Sequence, residues 1–328
     1  MEPTIDVVGV GNAIVDVIVT VGHEFIEQHG LVEGSMTLID SARAHDLYSA
    51  MPAGIEASGG SAANTAAGVA SFGGTAAYIG KVRDDQLGEV FVHDIRAAGV
   101  IFTVPPATRG DPTARCLIQV TPDAERTMNT FLGISAHLAP EDIDEALVAA
   151  AAITYCEGYL WDVDVAKAAI RRAMNIAAVA GRTVSLTLSD SFCVDRHRDE
   201  WLDLISDRVD LVFANEAEVC SLFETADFEH ARDQLADLTE VAVITRSAAG
   251  SVVVSREGTE VVAAVPVTRV VDATGAGDLY AAGFLYGLSR GAPLRSCAEL
   301  GGIAAAEVIS HVGARALVSL ADLVPEDL

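Results

Sequence analysis

The sequence predicts an α/β fold in which a central, mainly parallel sheet is flanked by helices and a small β-sheet forms a lid. Three observations carry this prediction. Apolar strand-like runs alternate with helical segments along most of the chain. Two stretches break the alternation, with strand-like polarity and no helix between their parts. And 328 residues, 51% of them hydrophobic, suffice for a large buried core.

Taken in order, "IDVVGVG" reads as a buried strand. "IVDVIVTV" (14–21) alternates in polarity and reads as an exposed strand. "SAANTAAGVASFG" is a helix ending at Gly73, and "TAAYIGKV" is the next strand. "QLGEVFVHDIRAAG" is a helix stopped by Gly99. "TARCLIQVTPDAERTMNTFL" (113–132) is again strand-like throughout. "TVSLTLS", "VDLVFAN" and "VAVITRS" are apolar strands, each preceded by a helical segment. The expected division is a large α/β unit of residues 1–13, 41–106 and 133–328, and a small β lid of 14–40 and 107–132. An antiparallel extension of the main sheet is the alternative for those two stretches.

Composition narrows the function. Lys and Arg number 21 against 47 Asp and Glu, a net charge of −26. Such a surface repels nucleic acid and anionic lipid, so neither is an expected partner. Small molecules are. The five cysteines are scattered and form no Cys-x-x-Cys pair, which reads as reduced thiols in a cytoplasmic protein. "MEPTIDVVGVG" does not read as a signal peptide, and no apolar run reaches the length of a membrane span. A monomer and a homodimer fit equally.

Several familiar patterns fail. "GVGNAI" (9–14) follows a strand, but Ile14 stands where a dinucleotide fingerprint needs its third glycine. Lys81 lacks the following Ser or Thr and the glycine spacing of a P-loop. "HRD" (197–199) lacks the downstream asparagine of a protein-kinase catalytic loop and reads as a charged helix start.

Three segments carry chemistry. In "GGSAANTAAG", Gly59, Gly60 and Ser61 precede a small-residue helix with Asn64 in its first turn. That suits a polyhydroxylated ligand, and equally a tight turn packed by alanines. In "FANEAEV", Asn215, Glu216 and Glu218 follow a strand. They could hold Mg²⁺ through water, or complement a helix dipole. "DATGAGD" (272–278) sets small residues before an acid at a helix start. Consecutive N–H groups from Gly275 to Asp278 would form an anion hole, and Asp278 would sit beside a bound phosphate. The helix N-terminus is expected to lower the pKa of Asp278 and keep it ionised.

"GGSAANTAAGVASFGGTAAYIGKVRDDQLGE" and "DATGAGDLYAAGF" resemble the two signature segments of the ribokinase-like (PfkB) carbohydrate kinases, and Asn215 to Glu218 matches that family's Asn-x-x-Glu motif. Within the family, "FIEQHGLVEGSMTLID", "ERTMNTFLG", "LTLSDSFCV" and "VDLVFANEAEV" are similar to the adenosine kinase branch. The resemblance implies a ribokinase-like fold and transfer of the ATP γ-phosphate to a hydroxymethyl group, for this branch the 5′-hydroxyl of adenosine. It makes Asp278 the catalytic base, with Gly275, Ala276 and Gly277 lining the anion hole. It gives Asp16 the ribose 2′- and 3′-hydroxyls, helped by Gly59, Gly60, Ser61 and Asn64, and gives Arg126 the transferred phosphate. Asn215, Thr245 and Gly250 fall near the nucleotide, Asn215 and Glu218 near Mg²⁺, and Asp272 and Thr274 where relatives bind a monovalent cation such as K⁺. Met128, Phe131, Tyr159, Leu160 and Trp161 are candidate neighbours of a purine. The chain departs from the family pattern at Ser247, where relatives have the first glycine of Thr-x-Gly-x-x-Gly, and at Ala273, where threonine is common. A sugar kinase and a non-catalytic nucleoside-binding protein are the alternatives.

Overall fold

The computed structural model describes residues 2–123 and 125–325. The chain enters as β1 (Ile5–Val10), crosses into β2 (Ile14–Thr20), and continues through α1 (His23–Gln28), β3 (Met36–Leu38), α2 (Ser41–Ala50) and β4 (Ile55–Gly59). Next come α3 (Ser61–Ser71), β5 (Ala76–Ile79), α4 (Gln86–Ala97), β6 (Ala114–Val120) and β7 (Arg126–Phe131). The remainder alternates: α5 (Glu145–Ala150), β8 (Ala151–Glu157), α6 (Asp164–Val179), β9 (Thr183–Thr187), α7 (Ser191–Arg208), β10 (Leu211–Asn215), α8 (Glu216–Leu222), α9 (Phe228–Leu238) and β11 (Val241–Thr245). A hairpin of β12 (Ser251–Ser255) and β13 (Gly258–Val262) then leads to α10 (Ala276–Ser289) and α11 (Leu294–Val308).

The main sheet has eight strands in the order β13-β12-β11-β10-β9-β8-β1-β5. Its pairings are parallel from β5 to β11 and antiparallel only at β12 and β13. The strands are apolar on both faces, as a parallel sheet covered by helices requires. α3, α10 and α11 pack on it as one group, and α5, α6, α8 and α9 as another.

The second sheet has five strands in the order β3-β7-β6-β2-β4. β2 alternates buried and half-buried positions, as its polarity predicts. β6 is mostly buried rather than exposed, because α2 packs against β6 and β7. β4 pairs antiparallel with β2, Asp16 opposite Ala57, so a strand from within 41–106 belongs to the small sheet. "HRD" stands at a kink within α7 where His197 leaves helical geometry, so Arg198 and Asp199 begin the second of its two helical segments.

Two close approaches place the site. A Cβ on Gly68 would come 2.5 Å from the Cβ of Ala282, so small residues let α3 and α10 cross nearly backbone to backbone. Gly60, at φ 98°, joins β4 of the small sheet directly to α3, and a Cβ there would strike the Asn12 carbonyl at 2.1 Å.

Candidate active site

The carboxyl ends of the parallel strands open into a cleft roofed by the small sheet. Asn12, Glu157, Thr187, Asn215 and Thr245 line it from the main sheet, and Asp16, Cys116, Arg126, Met128 and Thr130 from the small one. Gly60, Ser61, Asn64, Gly275, Gly277 and Asp278 line its floor, where α3 and α10 begin.

Asp278 is the hub of the floor. Its Oδ1 accepts from Ser61 Oγ at 2.7 Å and its Oδ2 from Asn64 Nδ2 at 3.0 Å. Thr65 Oγ1 donates to the Asp278 carbonyl at 3.1 Å. The expectation of a lowered pKa is not met: burial raises it, opposed by hydrogen bonds from Asn64 and Ser61 and by the charge of Arg315. A carboxylate so placed is a stronger base than an ordinary aspartate.

Gly275 caps α10 in a left-handed conformation, φ 79°. The first turn of a helix offers its amides no intrahelical acceptor, so those of Gly277 and Asp278 are available to an anion. Ala276 differs from the expectation of a continuous run of N–H groups. Its N–H donates to the Ala273 carbonyl at 3.2 Å, closing the tight turn, and it does not line the cleft.

Asp16 lies under the small sheet against Gly59, whose Cβ would come 2.4 Å from its carboxylate. Gly59 therefore makes room for Asp16 rather than lining the cleft itself. Burial raises the Asp16 pKa to about 6, opposed by Arg315 and Arg126. Arg126 reaches from β7 across the cleft and donates to Asp272, and to Thr274 Oγ1 at 3.0 Å. Asp272 also accepts from the N–H groups of Thr274 (3.0 Å) and Gly313 (2.9 Å). The two residues expected to hold a monovalent cation thus hold the arginine instead.

Asn215 and Glu218 form a capping box at the start of α8. Glu218 accepts from Asn215 N at 3.0 Å and Nδ2 at 2.5 Å, and burial raises its pKa to about 7. Both residues line the cleft. Among the described residues no group of three or more His, Cys, Asp or Glu could cage a metal directly.

Thr245 lines the cleft and Gly250 does not. Gly250, at φ 86°, closes the β11–β12 turn: its N–H donates to Ser247 at 3.0 Å and its carbonyl accepts from Arg246 at 2.7 Å. Ser247 sits at φ 50°, in the left-handed region that glycine adopts without strain. Of the candidate purine neighbours, Met128 and Tyr159 face the cleft, whereas Phe131, Leu160 and Trp161 are buried.

Sequence reasoning missed two residues. Glu157, 1% exposed, ends β8 and accepts from Asn12 Nδ2 and Ala62 N, each at 2.9 Å. It caps α3 from another strand, since Gly60 has no side chain to do so. Arg315 donates to Asn64 Oδ1 at 3.2 Å. Neither stands in a motif. The one available signal for Glu157 was an acid ending an apolar run, "ITYCE".

A cleft at the strand ends, a helix start with free amides and a buried carboxylate beside it fit a phosphotransferase acting on a hydroxyl group. The chain belongs to the PfkB family of carbohydrate kinases, whose profile matches residues 33–320. Family membership implies ATP as phosphate donor, usually with Mg²⁺, and a small-molecule acceptor. Among solved structures, the adenosine kinase from Sinorhizobium meliloti is 53% identical, covering 97% of this chain and 98% of that one, with a TM-score of 0.91. A probable sugar kinase from Rhizobium etli CFN 42 is 49% identical, covering 98% of each chain, with a TM-score of 0.92. The adenosine kinase of Saccharomyces cerevisiae is 28% identical over 333 residues, 94% of this chain and 96% of that protein. The chain is thus a carbohydrate or nucleoside kinase. No helix among the described residues is long and apolar enough to cross a membrane.

Proposed function

We propose that this kinase is an adenosine kinase, transferring the γ-phosphate of ATP to the 5′-hydroxyl of adenosine to give AMP and ADP. One observation carries the reading. The cleft that holds Asp16 is also lined by Met36, Leu38, Met128, Leu132 and Phe192. Three of these large apolar side chains stand exposed: Met36 at 44%, Leu38 at 52% and Phe192 at 72%. A purine covers such a surface; a free sugar leaves it in water.

Asp16 and Asn64 take the ribose diol beside Gly60 and Ser61, which sets the 5′-hydroxyl toward Asp278. Asp278 accepts its proton. The amides of Gly275, Gly277 and Asp278 balance charge on the transferring phosphoryl. Its transition state is loose, so positioning and charge outweigh base strength. Arg126 leaves Asp272 for that phosphoryl, which frees Asp272 and Thr274 for a monovalent cation such as K⁺. Asn215 and Glu218 would hold Mg²⁺ through water, and the ion would supply charge neutralisation at the donor phosphates.

A sugar kinase is the second reading. It is favoured by the Asp16 and Asn64 pair, which fits any vicinal diol, and by the likeness to the probable sugar kinase from Rhizobium etli CFN 42. ATP consumption with product identification, over adenosine, inosine, guanosine, cytidine, 2′-deoxyadenosine, ribose and fructose, separates the two. Fast turnover of adenosine to AMP is expected, and preference for a free sugar refutes it. Binding of adenosine with no turnover of any acceptor points to a non-catalytic protein.

A further inference from the structure

Arg315 has no part in the reading above, yet its side chain ends at the centre of the site. The segment that carries it is tied down beside the anion hole. The Gly313 N–H donates to Asp272 at 2.9 Å, and the Ala314 carbonyl lies 2.7 Å from where a Cβ on Gly275 would stand. Nε then donates to Asn64 Oδ1 at 3.2 Å, and Asn64 Nδ2 donates to Asp278 Oδ2 at 3.0 Å. Nη2 is buried with no hydrogen-bond partner among the described residues. Three carboxyl groups and a neutral phenol surround the guanidinium from four elements: Asp94 of α4, Asp16 of β2, Asp278 of α10 and Tyr78 of β5. Burial lowers its pKa from the usual arginine value, and it remains a cation.

Arginine can only donate. Its N–H on Asn64 Oδ1 therefore fixes which way the amide faces, carbonyl toward Arg315 and NH₂ toward Asp278. A flipped amide would turn a carbonyl oxygen onto a carboxylate. We infer that Arg315 is a positioning residue: through the Asn64 amide it orients Asp278 to receive the acceptor's proton, and its charge couples that base to Asp16, the residue that grips the acceptor. The inference rests on the proposed roles of Asp278 and Asp16. Beyond Ser61 and Asn64, the groups facing Asp278 are acids, Asp16, Glu157, Tyr155 and Tyr159, with Arg315 as the opposing cation.

The test is steady-state kinetics of Arg315→Met and Arg315→Lys in the full chain from pH 5 to 9, with thermal unfolding of each. The acceptor is whichever compound the wild type turns over fastest. A wild type that prefers ribose therefore sinks the adenosine reading and leaves this test intact. In Arg315→Met, the acid limb of kcat is expected to move up by about one pH unit, since an opposing cation is lost. At pH 7, kcat should fall about tenfold or more through misplacement of the base. KM for the acceptor should rise while KM for ATP stays put. Arg315→Lys should restore the acid limb but not the full kcat, because an ammonium lacks the planar fork. A lower unfolding temperature with an unmoved acid limb and an unchanged ratio of the two KM values overturns the inference, as does wild-type kcat in both variants. If Arg315→Met does not fold, Arg315→Gln gives the same comparison.

Discussion

Glu157→Gln tests the electrostatics of the site without touching a proposed substrate contact. Glu157 is almost fully buried, and burial lifts its pKa from 4.5 to about 7 despite the hydrogen bonds from Ala62 and Asn12. The folded state therefore holds a proton that the unfolded chain has released. Between about pH 4.5 and 7 the native state binds more protons than the unfolded state, so this residue's contribution to stability falls as pH rises. At about 1.4 kcal/mol per pH unit, the displacement is worth about 3 kcal/mol. Glutamine does not titrate. It turns an NH₂ toward one of the N–H donors of Asn12 or Ala62, a mismatch costing roughly 1–3 kcal/mol at any pH. Urea unfolding at pH 5 and pH 8, followed by fluorescence of the buried Trp161 and Trp201, isolates the term, because other titrations are common to both proteins and cancel. Glu157→Gln should be the less stable protein at pH 5. The gap should move by about 3 kcal/mol in its favour by pH 8. A gap constant to within about 0.5 kcal/mol, the scatter of independent effects, would mean that the three N–H donors outweigh burial, and would refute the reasoning.

Other outcomes follow from the same geometry. Asp278→Asn should lose roughly 10²–10⁴-fold in kcat, the range for removal of a general base, with KM for ATP little changed; near-normal turnover sinks the assignment. Asp16→Ala should raise KM for adenosine far more than for ATP and narrow the difference between adenosine and 2′-deoxyadenosine, since the buried acceptor of the diol is gone; equal effects on both substrates count against it. At Ser247, glycine should be neutral or slightly stabilising, whereas valine should cost about 1–2 kcal/mol, because a branched side chain resists the left-handed conformation. Thermal unfolding decides, and equal losses in both variants would show that the conformation is not what matters there.

The residues that depend on local geometry were legible in the sequence. A run of small residues before an acid, at the start of an apolar helix, marks the cap at Gly275 and the place of Asp278 because both are set within one turn. The main strands declared themselves by unbroken apolar runs. β4 did not: "IEASG" is short, mixed in polarity and without β-branched residues after Ile55, and it is a strand because β2 lies beside it. Ala276 and Gly250 do not line the cleft, since which amide a turn consumes depends on dihedral angles that composition does not reveal. Glu157 and Arg315 were invisible for a different reason. Each acts on α3 from a distant part of the chain, 95 residues from Ala62 and 251 from Asn64, and only the close crossing of α3 with α10 makes those contacts chemistry.

Gly60 links the two sheets through backbone alone. The peptide enters α3 one residue before Ser61 and four before Asn64, and Arg126 is the side chain that reaches from the roof to Asp272 and Thr274. On the proposed reading, apolar side chains of the roof meet the acceptor's base while the helix starts below carry Asp278 and the free amides. Side chains on the underside of the roof, such as Met36, Leu38 and Met128, can be exchanged for others without disturbing the pivot or the helix starts below it. Selectivity can drift while the reaction stays fixed. Such a division accounts physically for how one architecture serves kinases named for sugars and kinases named for nucleosides, and it marks the underside of the roof as the place to re-engineer the acceptor.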